Sequence, residues 1–263
     1  MSTETEQAKR DAKLRKVLTE GHTTFKGVRL LFKALPSPKR CRMCDAPFAG
    51  VGGKIVRPFG WRPSRKNPNF CDSCIERFAH GGVEIDVAVL FADVRGSTSI
   101  GERLGPSEFA ALMNRFYRVA NEVLVAKDGI IDKMIGDEVM ALFTSGVSGK
   151  AYRARAVEGG EALLRAVRDE KSGEAWLAVG VAVHAGPAYV GNVGGGGIVD
   201  FTALGDTVNT AARLQAAAAP GEMVISDAVF PLVAGRYGDI PARVLPLKGK
   251  EEAVGVHIYS LKS

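Results

Sequence analysis

The chain has 263 residues, 46% hydrophobic and 24% charged, with a formal net charge of +6 and a pI near 9.2. That apolar content excludes a mainly disordered chain, and no run of about 18 apolar residues is present to span a bilayer. The opening residues lack the basic-then-apolar build of a secretory signal, so a cytoplasmic protein is expected, while the basic pI by itself would suggest an anionic partner such as nucleic acid.

The charge is unevenly placed. Residues 1–80 carry 17 Lys+Arg against 7 Asp+Glu, a net of +10, whereas residues 81–263 carry a net of −4. All four cysteines also fall in the first part, so a boundary is expected near the glycines Gly81 and Gly82. Residues 1–36 read as a basic amphipathic helix, or two helices broken at Gly21. Leu14, Leu18, Phe25, Val28, Phe32 and Leu35 form the apolar seam, suited to packing on the domain behind it or to dimerisation.

Residues 37–80 contain Cys41, Cys44, Cys71 and Cys74 as two CxxC pairs with 26 residues between them. Two such turns can converge four thiolates on one ion, which predicts structural Zn2+, with an iron–sulfur cluster or a thiol redox switch as alternatives. Phe59, Trp61 and Phe70 are the candidate core of this small module. A basic cysteine module also permits nucleic-acid binding, a reading ranked below a structural or regulatory role.

Further along, Val87–Ala92 reads as a buried strand ending in Asp93 and Val94, followed by a turn at Gly96, Ser97 and Thr98 that opens a helix. Pro106 and Ser107 start a second helix with Phe109, Leu112, Met113, Phe116, Ala120 and Val123 facing the sheet. Two apolar runs flank Gly136-Asp137 as a hairpin with the acid at its tip. A strand through His184 and a further segment from Asp200 follow. Asp206 or Thr207 is the expected N-cap of a helix carrying Asn209 and Arg213 on one face. His184 reads as a hydrogen-bonding core residue, and neither Gly191–Gly197 nor Gly146–Lys150 has the spacing of a phosphate-binding glycine loop.

The four segments FADVRGST, DKMIGDEVMALF, VHAGPAYVGNVG and FTALGDTVNTAARL, in this order, resemble the catalytic domain of class III adenylate/guanylate cyclases over about residues 83–262. The resemblance implies an α+β, ferredoxin-like domain. It implies that Asp93 and Asp137, with the carbonyl of Val94, hold two Mg2+ or Mn2+ ions, and that Gly96, Ser97 and Thr98 lend donors to phosphate. Asn209 matches the residue that orients the ribose, Arg213 the one that stabilises charge at phosphorus, and Lys248 the one that grips the terminal phosphates. Lys133 and Thr202 match the two base-reading positions, and their donor and acceptor chemistry favours ATP. One such domain per chain implies a homodimer with paired sites. Gly180 stands where many relatives have a phosphate-contacting Arg, leaving Arg95 or Lys250 to substitute. The expected activity is that of an adenylate cyclase; the alternatives are a guanylate cyclase or a non-catalytic metal-sensing module.

Overall fold

The computed structural model describes residues 2–21, 31–41, 44–64, 68, 70–77, 81–168, 175–195, 198–247, 249 and 252–261. Strand β1 (Gly82–Val94) is flanked on one side by β3 (Glu138–Phe143) and then β2 (Ile130–Ile135), and on the other by β4 (Val179–Gly195). The sheet order β2-β3-β1-β4 arises from strands joined as strand, helices, hairpin, helix, strand. This is the ferredoxin-like arrangement expected from the resemblance. β6 (Glu222–Ser226), β8 (Val254–Ser260) and β7 (Ala242–Leu245) extend it beyond β4, and β5 (Ile198–Leu204) pairs with the far half of β4.

Alternation along β1 decides what covers each face, because side chains in a strand point to opposite sides with period two. Ala88, Leu90 and Ala92 pack under Met113, Phe116, Ala120 and Leu124, and under Val157 and Leu164. These come from the helices α5 (Pro106–Ala126) and α7 (Tyr152–Ala166). α5 begins at Pro106 as expected, and Glu108 reaches back to accept the Gly105 amide at 3.3 Å. Val83, Ile85, Val87, Val89 and Phe91 face the other way. They meet Leu14, Val17 and Leu18 of α1 (Ser2–Glu20) and Ala211 of α8 (Asp206–Ala216).

The amino-terminal seam therefore packs on β1 at Leu14 and Leu18, both buried, while Phe32 is buried beside Trp61; Phe25 and Val28 lie outside the described residues. α1 stops before Gly21, which takes the left-handed conformation (φ +67°). There the chain touches the short helix α6 (Ser145–Ser148): Ser145 Oγ donates to the Thr19 carbonyl at 2.7 Å. A Cβ on Gly146 would stand 2.0 Å from the Val17 carbonyl oxygen. Helical residues recur at 31–34, and the Arg40 guanidinium donates to the carbonyls of Phe32 and Leu35 at 2.8 and 2.5 Å.

Two details differ from expectation. Phe70 is buried and Trp61 packs edge-on against Phe32 at 5.0 Å, but Phe59 is 71% exposed and takes no part in the module's core. The N-cap of α8 is Gly205 (φ +139°), with Asp206 already helical, because Thr207 turns inward to donate to the Pro187 carbonyl at 2.6 Å. Among the described residues, no helix is long and apolar enough to cross a membrane.

Candidate active site

β1 carries Asp93 to the end of a central strand, opposite Glu138 on β3 and Gly180 on β4. The β2–β3 hairpin turns at Gly136 (φ +64°), setting Asp137 beside this strand end; the Val94 amide donates to the Asp137 carbonyl at 3.1 Å. Tyr117 of α5 braces the same turn by donating to the Gly136 carbonyl at 2.5 Å. Next to these acids α4 (Ser97–Arg103) begins at Gly96, itself left-handed (φ +73°). The Ser97 hydroxyl donates to Asp137 Oδ2, so its side chain orients the acid, while the first-turn amides remain outside the helix's own ladder.

Three carboxylates thus lie near enough to influence one another. Burial pushes the Asp93 carboxyl above its usual range; the neighbouring Arg95 guanidinium opposes that rise and Asp137 adds to it. Burial also raises Glu138, with Asp93 and Asp137 reinforcing it. Arg95 Nη2 lies 2.6 Å from Asp93 Oδ1 and partly balances the cluster. A set of hard carboxylate oxygens with this excess of negative charge suits Mg2+ or Mn2+. Glu138, one residue past the expected acid, escaped the sequence reading because it looks like an ordinary strand-entry residue.

A second group forms where β2 meets β5. Lys133 Nζ donates to Thr202 Oγ1 at 2.6 Å, and the Thr202 hydroxyl donates to Asp132 Oδ2 at 2.7 Å. Burial raises the Asp132 carboxyl to about 6, against the opposing pull of Thr202, Lys133 and the Ala203 amide; Asp200 adds to the rise. Asp132 was missed in the sequence, although an acid inside the apolar run Gly129–Met134 is itself a signal.

The third group lies on α8. Asn209 is exposed, and Arg213, half-buried one turn later, brings Nη2 within 3.4 Å of where a Cβ on Gly249 would stand. Lys248 and Lys250 lie outside the described residues. A groove of about 560 Å³ opens between Asp206 and Gly249, floored by His184, whose Nδ1 shares a 2.8 Å hydrogen bond with Ser226 Oγ. The three groups sit on different elements: the end of β1 with the β2–β3 turn, the junction of β2 with β5, and α8.

Residues 83–260 match the family described as the adenylate and guanylate cyclase catalytic domain. The chain belongs to that family. Its cyclase domain is 34% identical over 134 residues to an adenylate cyclase of Anabaena cylindrica, an alignment covering 49% of this chain and 26% of that protein. The aligned part is thus about a quarter of that relative's length. The structure resembles the guanylyl cyclase Cya2, with a TM-score of 0.62, 26% identity and coverage of 68% of this chain and 93% of that one. It also resembles the adenylyl cyclase CyaB from P. aeruginosa, with a TM-score of 0.59, 26% identity and coverage of 69% and 96%.

Gly180 on β4 is a position where packing leaves no room for a side chain. A Cβ there would come within 2.9 Å of both Arg95 Nε and the Ala218 carbonyl oxygen. The Arg95 side chain fills the space that a side chain at 180 would need.

Ahead of the cyclase domain the four cysteines close on one another. All four are buried, with their sulfurs within 4.8 Å of one another; Cys41–Cys74 is 3.9 Å and Cys44–Cys71 is 3.6 Å. A tetrahedral ion with sulfur at about 2.3 Å sets its ligand sulfurs about 3.8 Å apart, matching both distances. A cluster of several irons and sulfides would push them much further apart. Hydrogen bonding among the sulfurs depresses Cys41, from Cys44 first, and raises Cys71 and Cys74, from Cys41 first. Four buried sulfurs this close together could hold one metal ion.

Proposed function

We propose that this cyclase converts ATP to 3′,5′-cyclic AMP and pyrophosphate between two copies of the chain. The observation that carries the choice of ATP is the Lys133–Thr202 contact. An ammonium donates to adenine N1 and a hydroxyl oxygen accepts from the N6 amino group, whereas guanine presents a donor at N1 and an acceptor at position 6. The reading of a guanylate cyclase is weaker on this ground alone.

Asp93, the Val94 carbonyl and Asp137 would hold two Mg2+ or Mn2+ ions, which supply acidification of the ribose 3′-hydroxyl and charge neutralisation of the leaving pyrophosphate. Asn209 would orient the ribose, and Arg213 would stabilise charge on the α-phosphorus as the 3′-oxygen bonds to it and the bond to pyrophosphate breaks. Amides at Gly96, Ser97 and Thr98, together with Arg95 and Lys248, would meet phosphate oxygens. The separation into distinct groups supports a homodimer, in which the acids of one subunit face Lys133, Thr202, Asn209 and Arg213 of the other. Presence of all these residues argues against a non-catalytic module.

The cysteine spacing supports one structural Zn2+ rather than an iron–sulfur cluster. The deciding experiment incubates the purified full chain with ATP or GTP and Mg2+ or Mn2+ and measures cyclic nucleotide and pyrophosphate. Cyclic AMP in excess is expected; cyclic GMP in excess would favour the guanylate reading, and no product from either would favour the non-catalytic one.

A further inference from the structure

Asp132 stands inside an apolar strand with a side chain completely shielded from solvent. Burying a carboxylate is unfavourable unless it is held by partners. Its Oδ2 takes the Thr202 hydroxyl at 2.7 Å and lies 3.9 Å from Lys133 Nζ, while Oδ1 is buried without a partner in hydrogen-bond geometry among the described residues.

Neighbouring residues of a regular strand point to opposite faces, yet Asp132 and Lys133 both reach Thr202 Oγ1. The register explains this. Ile131 pairs with Ala141 and Lys133 with Met140, so Asp132 is an extra residue opposite no partner. Such a bulge re-aims side chains, and here it turns both toward β5.

A threonine hydroxyl has one proton and two lone pairs. Thr202 places its proton on Asp132 at 2.7 Å in preference to the Ala203 carbonyl at 3.5 Å, and accepts Lys133 with one lone pair. One lone pair is left for a ligand.

We propose that Asp132 is a positioning residue that sets nucleotide specificity by holding the Thr202 proton inward, making Thr202 an acceptor and Lys133 a donor toward the base. The proposal rests on the reading of Lys133 and Thr202 as base contacts. With ring N1 at Lys133 and position 6 at Thr202, the adenine edge fits. The guanine edge does not: its carbonyl meets an acceptor and its N–H meets an ammonium. Freed from Asp132, the hydroxyl can rotate and donate to the guanine carbonyl.

The test measures kcat and KM for ATP and GTP with Mn2+ on the full chain. Asp132→Ala is expected to lower the ATP-to-GTP ratio of kcat/KM about tenfold, chiefly through KM. Asp132→Leu, similar in reach, stands in should that variant fail to fold. Asp132→Asn is expected to keep most of the preference, because its carbonyl oxygen can still accept from Thr202 while its amino group avoids Lys133. In a Thr202→Val background, Asp132→Ala is expected to leave the ratio unchanged. An unchanged ratio in Asp132→Ala, an Asn variant as impaired as the Ala one, or a persisting shift without the Thr202 hydroxyl would each overturn the proposal. A wild type that turns over neither nucleotide fails the cyclase reading instead. Competition between ATP and GTP for binding then reads base preference without turnover, and equal preference in wild type and Asp132→Ala overturns the role of Asp132.

Discussion

Arg95 Nη2 lies 2.6 Å from Asp93 Oδ1, and the same guanidinium occupies the space above Gly180 on the neighbouring strand. An arginine two residues after the acid thus fills the space beside the neighbouring strand and pairs with that acid. Arg95→Ala leaves Asp93, Asp137 and Glu138 without this counter-charge. In EDTA it should lose about 1–2 kcal/mol of stability, read as a lower Tm. Added Mn2+ should narrow the gap to wild type, because a divalent cation supplies the missing charge; an equal loss in both conditions would mean that packing alone is at stake.

Gly146 lies directly against the backbone of α1 where that helix meets the cyclase domain. Gly146→Ala forces a methyl group against the Val17 carbonyl, 2.0 Å from its ideal position. Neither backbone can give way without moving α1 or α6, so a loss of about 2 kcal/mol or more is expected in denaturant unfolding. Limited proteolysis should show earlier cleavage within α1.

A shared site predicts complementation between damaged chains. Asp93→Ala and Asn209→Ala homodimers should each be inactive. In a heterodimer one site carries both lesions and the other none, so about half of wild-type activity should return. Differently tagged chains purified in tandem and assayed for cyclic nucleotide would check this, and inactive heterodimers would place both residues in one subunit's site.

Asp132 also imposes a pH dependence. Its carboxyl is raised from an ordinary 3.8 to about 6, facing Lys133, Asp200, Thr202 and the Ala203 amide. A raised folded value means that the contribution to stability is fully present below about pH 4 and is lost as pH rises through about 6. Two units correspond to about 2–3 kcal/mol. Asp132→Asn should therefore gain on wild type by that order between pH 4 and 7 in urea titrations, and a constant difference would contradict the assignment.

The four cysteines should hold one zinc per chain, measured by elemental analysis of protein purified without added metal. Visible absorbance from iron should be absent. Strong chelation, or Cys41→Ser, should lower Tm, because the sulfurs share a core with Phe32, Phe70 and Val56.

The amino-acid order alone pointed to the family, the helices and the hairpin, and it singled out Asp93 and Asp137 as candidate ligands, because these readings depend on local periodicity and on motifs whose residues are close in sequence. It also made the four cysteines legible as one centre, since two CxxC turns have few other uses. The opening charge of +6 carried less than it promised: it averages a basic cysteine module and an acidic cyclase domain. Only the tertiary structure decided that the seam through Leu14 and Leu18 docks on β1, that Gly180 is the empty half of a pair with Arg95, and that Asp132 backs Lys133 and Thr202. Each of these joins residues far apart in sequence or depends on a one-residue shift of strand register. Such a shift reverses which face a side chain takes while leaving the hydrophobic pattern almost unchanged.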